Sequence, residues 1–221
     1  MKILDVMQGS PAWIAARLGI PTASAAKKII QPVKLKPSSA QDDYLNVLVA
    51  EWALGRPLDE QTSEFMLRGT AMESEAVAWY ELTHDVEVQR VGFCTSDGGT
   101  YGCSPDGLVG DTGGLEIKCP AANTHIGHLL DPLNIEYKAQ VQFSMLVTGR
   151  AWWDRVSYHP DLPKSLTRFE RDEVFCQALA NCLRDFNVRL EEAKYRLRQM
   201  GVEPAIRTPS RAAFDPEAVL A

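Results

Sequence analysis

The 221-residue chain has few cysteines and no paired ones. Its five cysteines, at positions 94, 103, 119, 176 and 182, include no Cys-x-x-Cys pair, which argues against a zinc or iron–sulfur site. Cys176 and Cys182, six apart in a helical pattern, fall on different faces and read as small buried apolar groups. Histidine adds no ligand cluster: of His84, His125, His128 and His159, only the middle two are close, and no third ligand accompanies them. No apolar run approaches the roughly 18 residues needed to span a bilayer, so no membrane partner is expected. The N-terminus lacks a continuous apolar stretch and soon meets Trp13, Arg17 and Pro21, unlike a signal peptide, so a cytoplasmic protein is expected. There is no internal repeat and no low-complexity tract. At this length one substantial domain is expected over 1–221, with a core from about 11 to 200 and a tail from about 201 to 221.

Charge is present but unevenly spread. The net charge of −6 taken alone disfavours a nucleic-acid partner, yet residues 1–40 carry six Lys or Arg against Asp5 alone. Residues 41–85 hold ten acids against Arg56 and Arg68, and 184–211 are basic again. One basic face on an acidic molecule fits this distribution as well as a uniformly acidic surface does.

Apolar spacing predicts a small helix over Ser24–Ile30, capped by Thr22 or Ser24, then a basic connector over Gln31–Ser39. A helix follows over Ala40–Leu54, stopped by Gly55-Arg-Pro, and another over Thr70–Thr83. Val86–Val91 alternates with period two and reads as a strand, as do Thr100–Ser104, Gly107–Val109 and Gly114–Lys118. Residues 121–134 read as a loop, Ile135–Thr148 as a helix, and Trp152–Tyr158 and Leu166–Arg171 as strands. A long helix covers about Asp172–Met200, acidic at its start and basic at its end. The order implies an α/β fold with a small central mixed β-sheet flanked by helices.

The stretch that carries chemistry is Cys103-Ser-Pro-Asp-Gly through Leu115-Glu-Ile-Lys-Cys-Pro120. A hairpin closed by Gly110-Asp111-Thr112 sets Asp106 opposite Glu116, with Cβ atoms about 5 Å apart, where like charges repel. Two carboxylates so placed call for a hard divalent cation, Mg²⁺ or Mn²⁺. Glu116 and Lys118 share one face of their strand, and Ile117 points the other way. A lysine there can hold an attacking water and offset charge on a phosphoryl oxygen, and the Ile117 carbonyl is a further oxygen ligand. The alternative for Glu-x-Lys alone is an ordinary charge pair on a solvated strand.

Pro105-Asp106, nine residues, then Glu116-Ile117-Lys118 resembles the Pro-Asp…(Asp/Glu)-x-Lys signature of a large nuclease superfamily, PD-(D/E)xK. Ser104-Pro-Asp-Gly, Leu115-Glu-Ile-Lys-Cys-Pro, Ala139-Gln-Val-Gln-Phe-Ser-Met and Arg17-Leu-Gly-Ile-Pro-Thr-Ala-Ser resemble, in order, the phage lambda-type (YqaJ-like) alkaline exonuclease family. The blocks run from about residue 11 to 158. The resemblance implies a PD-(D/E)xK nuclease-like core and a Mg²⁺-dependent 5′→3′ exonuclease, with Mn²⁺ able to substitute. Such an enzyme degrades one strand of linear double-stranded DNA and leaves a 3′ single strand for recombination by annealing. It also implies a homotrimer ring and a single-strand annealing protein as partner, in a bacterial host cell.

Carried over residue by residue, the resemblance gives Asp106, Glu116 and the Ile117 carbonyl as metal ligands and Lys118 as the catalytic lysine. The family's helix glutamate falls on Glu73, for which a capping box with Thr70 is the alternative. The active-site glutamine falls on Gln140, otherwise a solvated helix residue. Arg17, Thr22, Ser24 and Ser104 match the positions that hold a terminal 5′ phosphate, a role suited to an Arg fork, hydroxyls and a helix start. For Ser24 simple N-capping is also open, and for Arg17 a surface ion pair. Met66 falls where the family carries an apolar wedge between strands, although a core methionine is the commoner use. Residues 121–134 are shorter than the family's counterpart. Two alternatives remain: a structure-specific or restriction-type endonuclease of the same superfamily, and a non-catalytic DNA-end-binding module. A carboxylate-pair glycosidase is disfavoured, since no aromatic sugar platform accompanies the pair.

Overall fold

The protein is seen in a computed structural model that describes residues 1–58, 64–132 and 135–205, the side chains of 64–71 and 135–136 excepted. In chain order the first elements are β1 (Lys2–Leu4), α1 (Pro11–Arg17), a 3-10 turn Ala23–Ala25, α2 (Ala26–Ile29), β2 (Ile30–Gln31), β3 (Lys36–Pro37) and α3 (Gln41–Leu54). Next come α4 (Glu64–His84), β4 (Val88–Gln89), β5 (Phe93–Thr95), β6 (Gly102–Cys103), β7 (Gly107–Val109) and β8 (Gly113–Lys118). The chain continues with α5 (Ala122–Leu130), α6 (Ile135–Thr148), β9 (Trp152–Ser157), β10 (Ser165–Glu170) and α7 (Glu173–Gln199).

The central sheet has the order β10-β9-β8-β7-β4. It is mixed, because β8 runs parallel to β9 and antiparallel to β7. A second antiparallel sheet, β1-β5-β6, carries the N-terminus to the strand that precedes Ser104. The central strand β8 is covered on both sides. Leu115 and Ile117 pack with Ala76, Val77 and Tyr80 of α4, together with Val109 and Val156. The opposite face belongs to the larger cluster, where Leu108 and Trp153 meet Phe143 and Met145 of α6 and Phe175, Leu179 and Phe186 of α7. Each such fully buried side chain contributes about 1.5–3 kcal/mol relative to exposure. Gly113 and Gly114 allow the tight seam with β9: a Cβ at either would lie within 2.1–2.3 Å of the Trp152 and Trp153 rings.

A buried carboxylate stitches α4 to the sheet. Asp154, fully buried on β9, accepts from Arg168 Nε and Nη2 at 2.8 and 2.7 Å and from the Tyr80 hydroxyl at 2.7 Å. Burial, then Asp154 itself, pushes the Tyr80 phenol far above its ordinary value, so it remains a donor. Helix ends follow local chemistry. Asp172 caps α7 by accepting from Phe175 N, and Gly55 ends α3 at φ +69°.

Several expectations need correction. Residues 121–134 are not simply a loop, since α5 occupies Ala122–Leu130. The opening segment, which reads from the sequence as a short loop, holds β1 and α1, the latter capped by Ser10 with Pro11 in its first turn. The helix expected from Thr70 begins at Glu64, so Thr70 does not start it and the capping-box alternative for Glu73 falls away. The small helix expected over Ser24–Ile30 is a 3-10 turn followed by α2, and the basic connector forms the short ladder β2–β3. The strand expected over Val86–Val91 pairs only at Val88 and Gln89.

Candidate active site

The β7–β8 register closes at Gly107↔Leu115, beside Asp106 on one strand and Glu116 on the other. Regular pairing ends there. Leu115 O accepts from Asp106 N at 3.2 Å, so carbonyls of this set face β7. Proline has no N–H, so Pro105 adds no rung to the ladder beyond Asp106. The Ile117 N–H is satisfied by a side chain instead, donating to Asp106 Oδ2 at 2.5 Å. The sequence thus ends the ladder beside two carboxylates and leaves a peptide oxygen facing them.

Glu116, only 4 % exposed, lies on the α6 side of β8. Its Oε1 accepts from Lys118 Nζ and from Gln140 Nε2, each at 2.6 Å. Burial, the largest single effect, lowers the Lys118 pKa, but Glu116 and Asp106 together outweigh it and hold the group above its ordinary value. Lys118 is therefore an ammonium and a donor. Burial, then Glu116, then Glu73 push the Asp106 carboxyl well above the ordinary carboxylate range, against Lys118 and the Ile117 N–H. Glu73 is near enough to act on Asp106, but its own Oε1 accepts from Arg90 at 2.5 Å. The structure thus brings Asp106, Glu116, Lys118 and Gln140 together and leaves Glu73 at the margin.

These donors fit a hard divalent cation. Among the described residues, Asp106 Oδ1 and Glu116 Oε2 have no hydrogen-bond partner, and the Ile117 carbonyl faces the same end of the hairpin. Like charges gathered in this way are relieved by a cation, and oxygen-only ligation suits Mg²⁺ or Mn²⁺. Among the described residues, no ready cluster of three His, Cys, Asp or Glu side chains stands at metal-holding distance. The set is two carboxylates and a peptide oxygen, with Glu73 as the carboxylate within electrostatic reach.

The other predicted residues form an adjoining corner. Arg17 Nη1 donates to Ser104 Oγ at 2.6 Å, and Trp13 Nε1 donates to the same oxygen at 3.0 Å. With two donors already on Ser104 Oγ, its own proton is free to be given away. The Arg17 guanidinium lies 4.1 Å from the Trp13 ring centroid, and burial lowers its pKa from the ordinary value. Thr22 precedes the 3-10 turn, but neither it nor Ser24 caps a backbone N–H; their hydroxyls pair at 3.2 Å. Thr22 also bridges to Gly102, two residues before Ser104. A cleft of about 180 Å³ is lined by Ser24, Lys27, Tyr137 and Gln140 among others; Ser24 pairs with Thr22, and Gln140 donates to Glu116. Met66 lies outside the described side chains.

Sequence reading missed Trp13 and Tyr137. Trp13 was findable, since it stands four before Arg17 in a segment opened by Ser10-Pro11, which signals a helix start. Tyr137, three before Gln140 on α6, shares its face.

Comparison with known proteins places the chain in a family. The YqaJ-like viral recombinase domain matches residues 12–151. The alkaline exonuclease LHK-Exo from Laribacter hongkongensis superposes with a TM-score of 0.78 at 33 % identity, covering 87 % of this chain and 98 % of that one. Its complex with dAMP gives a TM-score of 0.78 at 34 % identity, with the same coverage. A phage-related exonuclease from Haemophilus somnus shares the fold, with a TM-score of 0.65 at 12 % identity over 80 % of this chain and 96 % of that one. Among curated proteins none matches the chain. With the matched domain spanning both the Arg17 corner and the Asp106–Lys118 hairpin, this chain belongs to the YqaJ-like viral recombinase family.

Proposed function

We propose that the chain is a Mg²⁺-dependent 5′→3′ exonuclease that degrades one strand of linear duplex DNA and leaves a 3′ single strand for annealing. One observation carries this reading: a single cleft joins Ser24, beside the Arg17–Ser104 corner, to Gln140, which holds Glu116. A site that grips a terminal phosphate next to its hydrolytic centre favours chain ends. The relatives described as exonucleases support the same reading.

Asp106, Glu116 and the Ile117 carbonyl would hold the ion, with Glu73 joining if it leaves Arg90. When bound, Mg²⁺ supplies Lewis-acid polarisation of the phosphoryl oxygen and a more acidic water. Lys118, protonated, donates a hydrogen bond to the attacking water or to the phosphoryl oxygen, where negative charge grows. Gln140 keeps Glu116 Oε1 engaged and its other oxygen turned outward. The Arg17 fork, the free proton of Ser104 and the one left over from the Thr22–Ser24 pair bind the terminal phosphate and so set which bond reaches the carboxylates. The family resemblance further supports a homotrimer ring with a single-strand annealing protein as partner, in the bacterial cytoplasm. It supports one nuclease domain with its core at about 11–200.

The test is digestion of linear duplex DNA with 5′-phosphate or 5′-hydroxyl ends, in Mg²⁺, Mn²⁺ or EDTA, beside a covalently closed circle. Metal-dependent loss of the 5′-phosphorylated strand with an intact circle is expected. Cutting of the circle would favour the endonuclease, and no hydrolysis in either metal would leave a DNA-end-binding module.

A further inference from the structure

Four side chains outside the machinery described above form one hydrogen-bonded chain behind the cleft. The Pro163 carbonyl can only accept, so His125, fully buried, donates Nε2–H to it at 2.8 Å. With both rings neutral, His125 Nδ1 is then an acceptor and takes the Ser157 hydroxyl proton at 2.8 Å. Ser157 has no second proton, so His128 donates to its Oγ from Nδ1, also at 2.8 Å. His128 Nε2 is left as an acceptor, and the Tyr137 hydroxyl, 2.9 Å away, donates to it. One carbonyl sets the direction of the whole chain.

The chain ends at the cleft. Ser157 is the β9 register partner of Lys118, and Tyr137 lines the cleft with Gln140 and Ser24. The Tyr137 ring is fixed twice more, edge-on to His128 at 5.1 Å between centroids and 4.6 Å under the guanidinium of Arg155. Arg155 is fully buried beside Glu116 in register, and its Nε and Nη1 find no acceptor. The aromatic face is the partner such a cation needs.

We propose that Tyr137 contacts substrate in the cleft, and that His128, Ser157 and His125 are positioning residues that turn its hydroxyl proton away, so that the phenol oxygen meets substrate as an acceptor. This rests on the nuclease reading. An acceptor at that wall repels a non-bridging phosphate oxygen, steering it toward Lys118 and the Arg17 corner, and orients a donor such as the attacking water. One proton added at His128 Nε2 reverses the last link, and the phenol proton turns into the cleft. The groups facing the imidazole pair are Arg155 from β9, Lys118 from β8, Tyr137 from α6 and His159, whose ring lies 5.8 Å from that of His125; Asp131 after α5 acts on Arg155. Burial, then Arg155, His125 and Lys118, lower the His128 pKa, so His128 stays neutral from neutral pH upward.

Two measurements on the full chain test this. Imidazole ¹⁵N NMR at pH 8 should show His125 protonated on Nε2 and His128 on Nδ1; the reverse tautomer in either ring overturns the assigned direction. In Mg²⁺ kinetics on 5′-phosphorylated duplex, Tyr137→Phe should lower kcat roughly tenfold or more with little change in KM, and should remove one group from the acid limb of the pH profile. His128→Leu should cost a similar factor in the parent and nothing further in the Tyr137→Phe background. Ser157→Ala, which changes little volume, serves where His128→Leu does not fold. Equal losses from the relay variants in both backgrounds, or parental kinetics and pH profile in Tyr137→Phe, would overturn the proposal. If the parent itself failed to hydrolyse DNA, the nuclease reading would fail instead.

Discussion

The ammonium of Lys118 lies 2.6 Å from Oε1 of Glu116, its neighbour two places along one strand. Both point toward α6, so the charge pair is fixed by strand alternation and is held in a wall that also bears Gln140. Replacing the lysine removes a donor that matters most when charge builds on the phosphoryl oxygen. Lys118→Met should therefore lower kcat by roughly a hundred- to a thousandfold while duplex ends still bind. Equal activity in a steady-state comparison would remove Lys118 from the mechanism.

Asp106 makes a prediction about stability without metal. Its carboxyl binds a proton more tightly in the folded chain than in the unfolded one, because burial, Glu116 and Glu73 raise its pKa. Between the unfolded and folded values the native state holds more protons, so stability is lost as pH rises through that window. Asp106→Asn removes the penalty and should stabilise the metal-free protein at neutral pH by about 1 kcal/mol or more, while abolishing hydrolysis. Mg²⁺ should raise the Tm of the parent and leave that of the variant unchanged. A destabilised, metal-responsive Asp106→Asn protein would contradict both parts.

Arg17 should discriminate between chain ends. Arg17→Ala should reduce the advantage of a 5′ phosphate over a 5′ hydroxyl by roughly ten- to a hundredfold and flatten the salt dependence of end binding. Ser104→Ala should act in the same direction with a smaller effect, since it removes one donor and frees the two that bind it. Binding isotherms with each end at several ionic strengths decide the matter, and an unchanged ratio would place the phosphate elsewhere.

The Asp154 cluster is a matter of stability. Asp154→Ala leaves the half-exposed Arg168 without its carboxylate and Tyr80 without its acceptor, and should cost about 1.5–3 kcal/mol in denaturant unfolding. Tyr80→Phe should cost about 1–2 kcal/mol, since only one hydrogen bond is lost. Neither variant touches the cleft, so kcat at a temperature where both are folded should stay near the parent's.

The hairpin was legible in the sequence because its information is local. A Gly-Asp-Thr turn fixes register, and alternation fixes which side chains share a face. The long helices α3, α6 and α7 were equally plain, their apolar spacing and stop signals agreeing. Helix α5 was hidden because its pattern is inverted: His125 and His128 are its buried side chains, while Ile126 and Leu130 are exposed. A reading that scores histidine as polar finds no apolar stripe there. The tie between Ser24 and Gln140 was hidden for a different reason. It joins segments 116 positions apart, and nothing local in either announces the other.

Pro105 has a role that outlasts any one ligand. Just beyond the last rung, where Asp106 N already reaches Leu115 O, it has no hydrogen with which to extend the pairing. A residue with an amide proton there could carry the pairing further and close the edge. The missing hydrogen keeps the fold from finishing itself at the one place where an unfinished edge is useful.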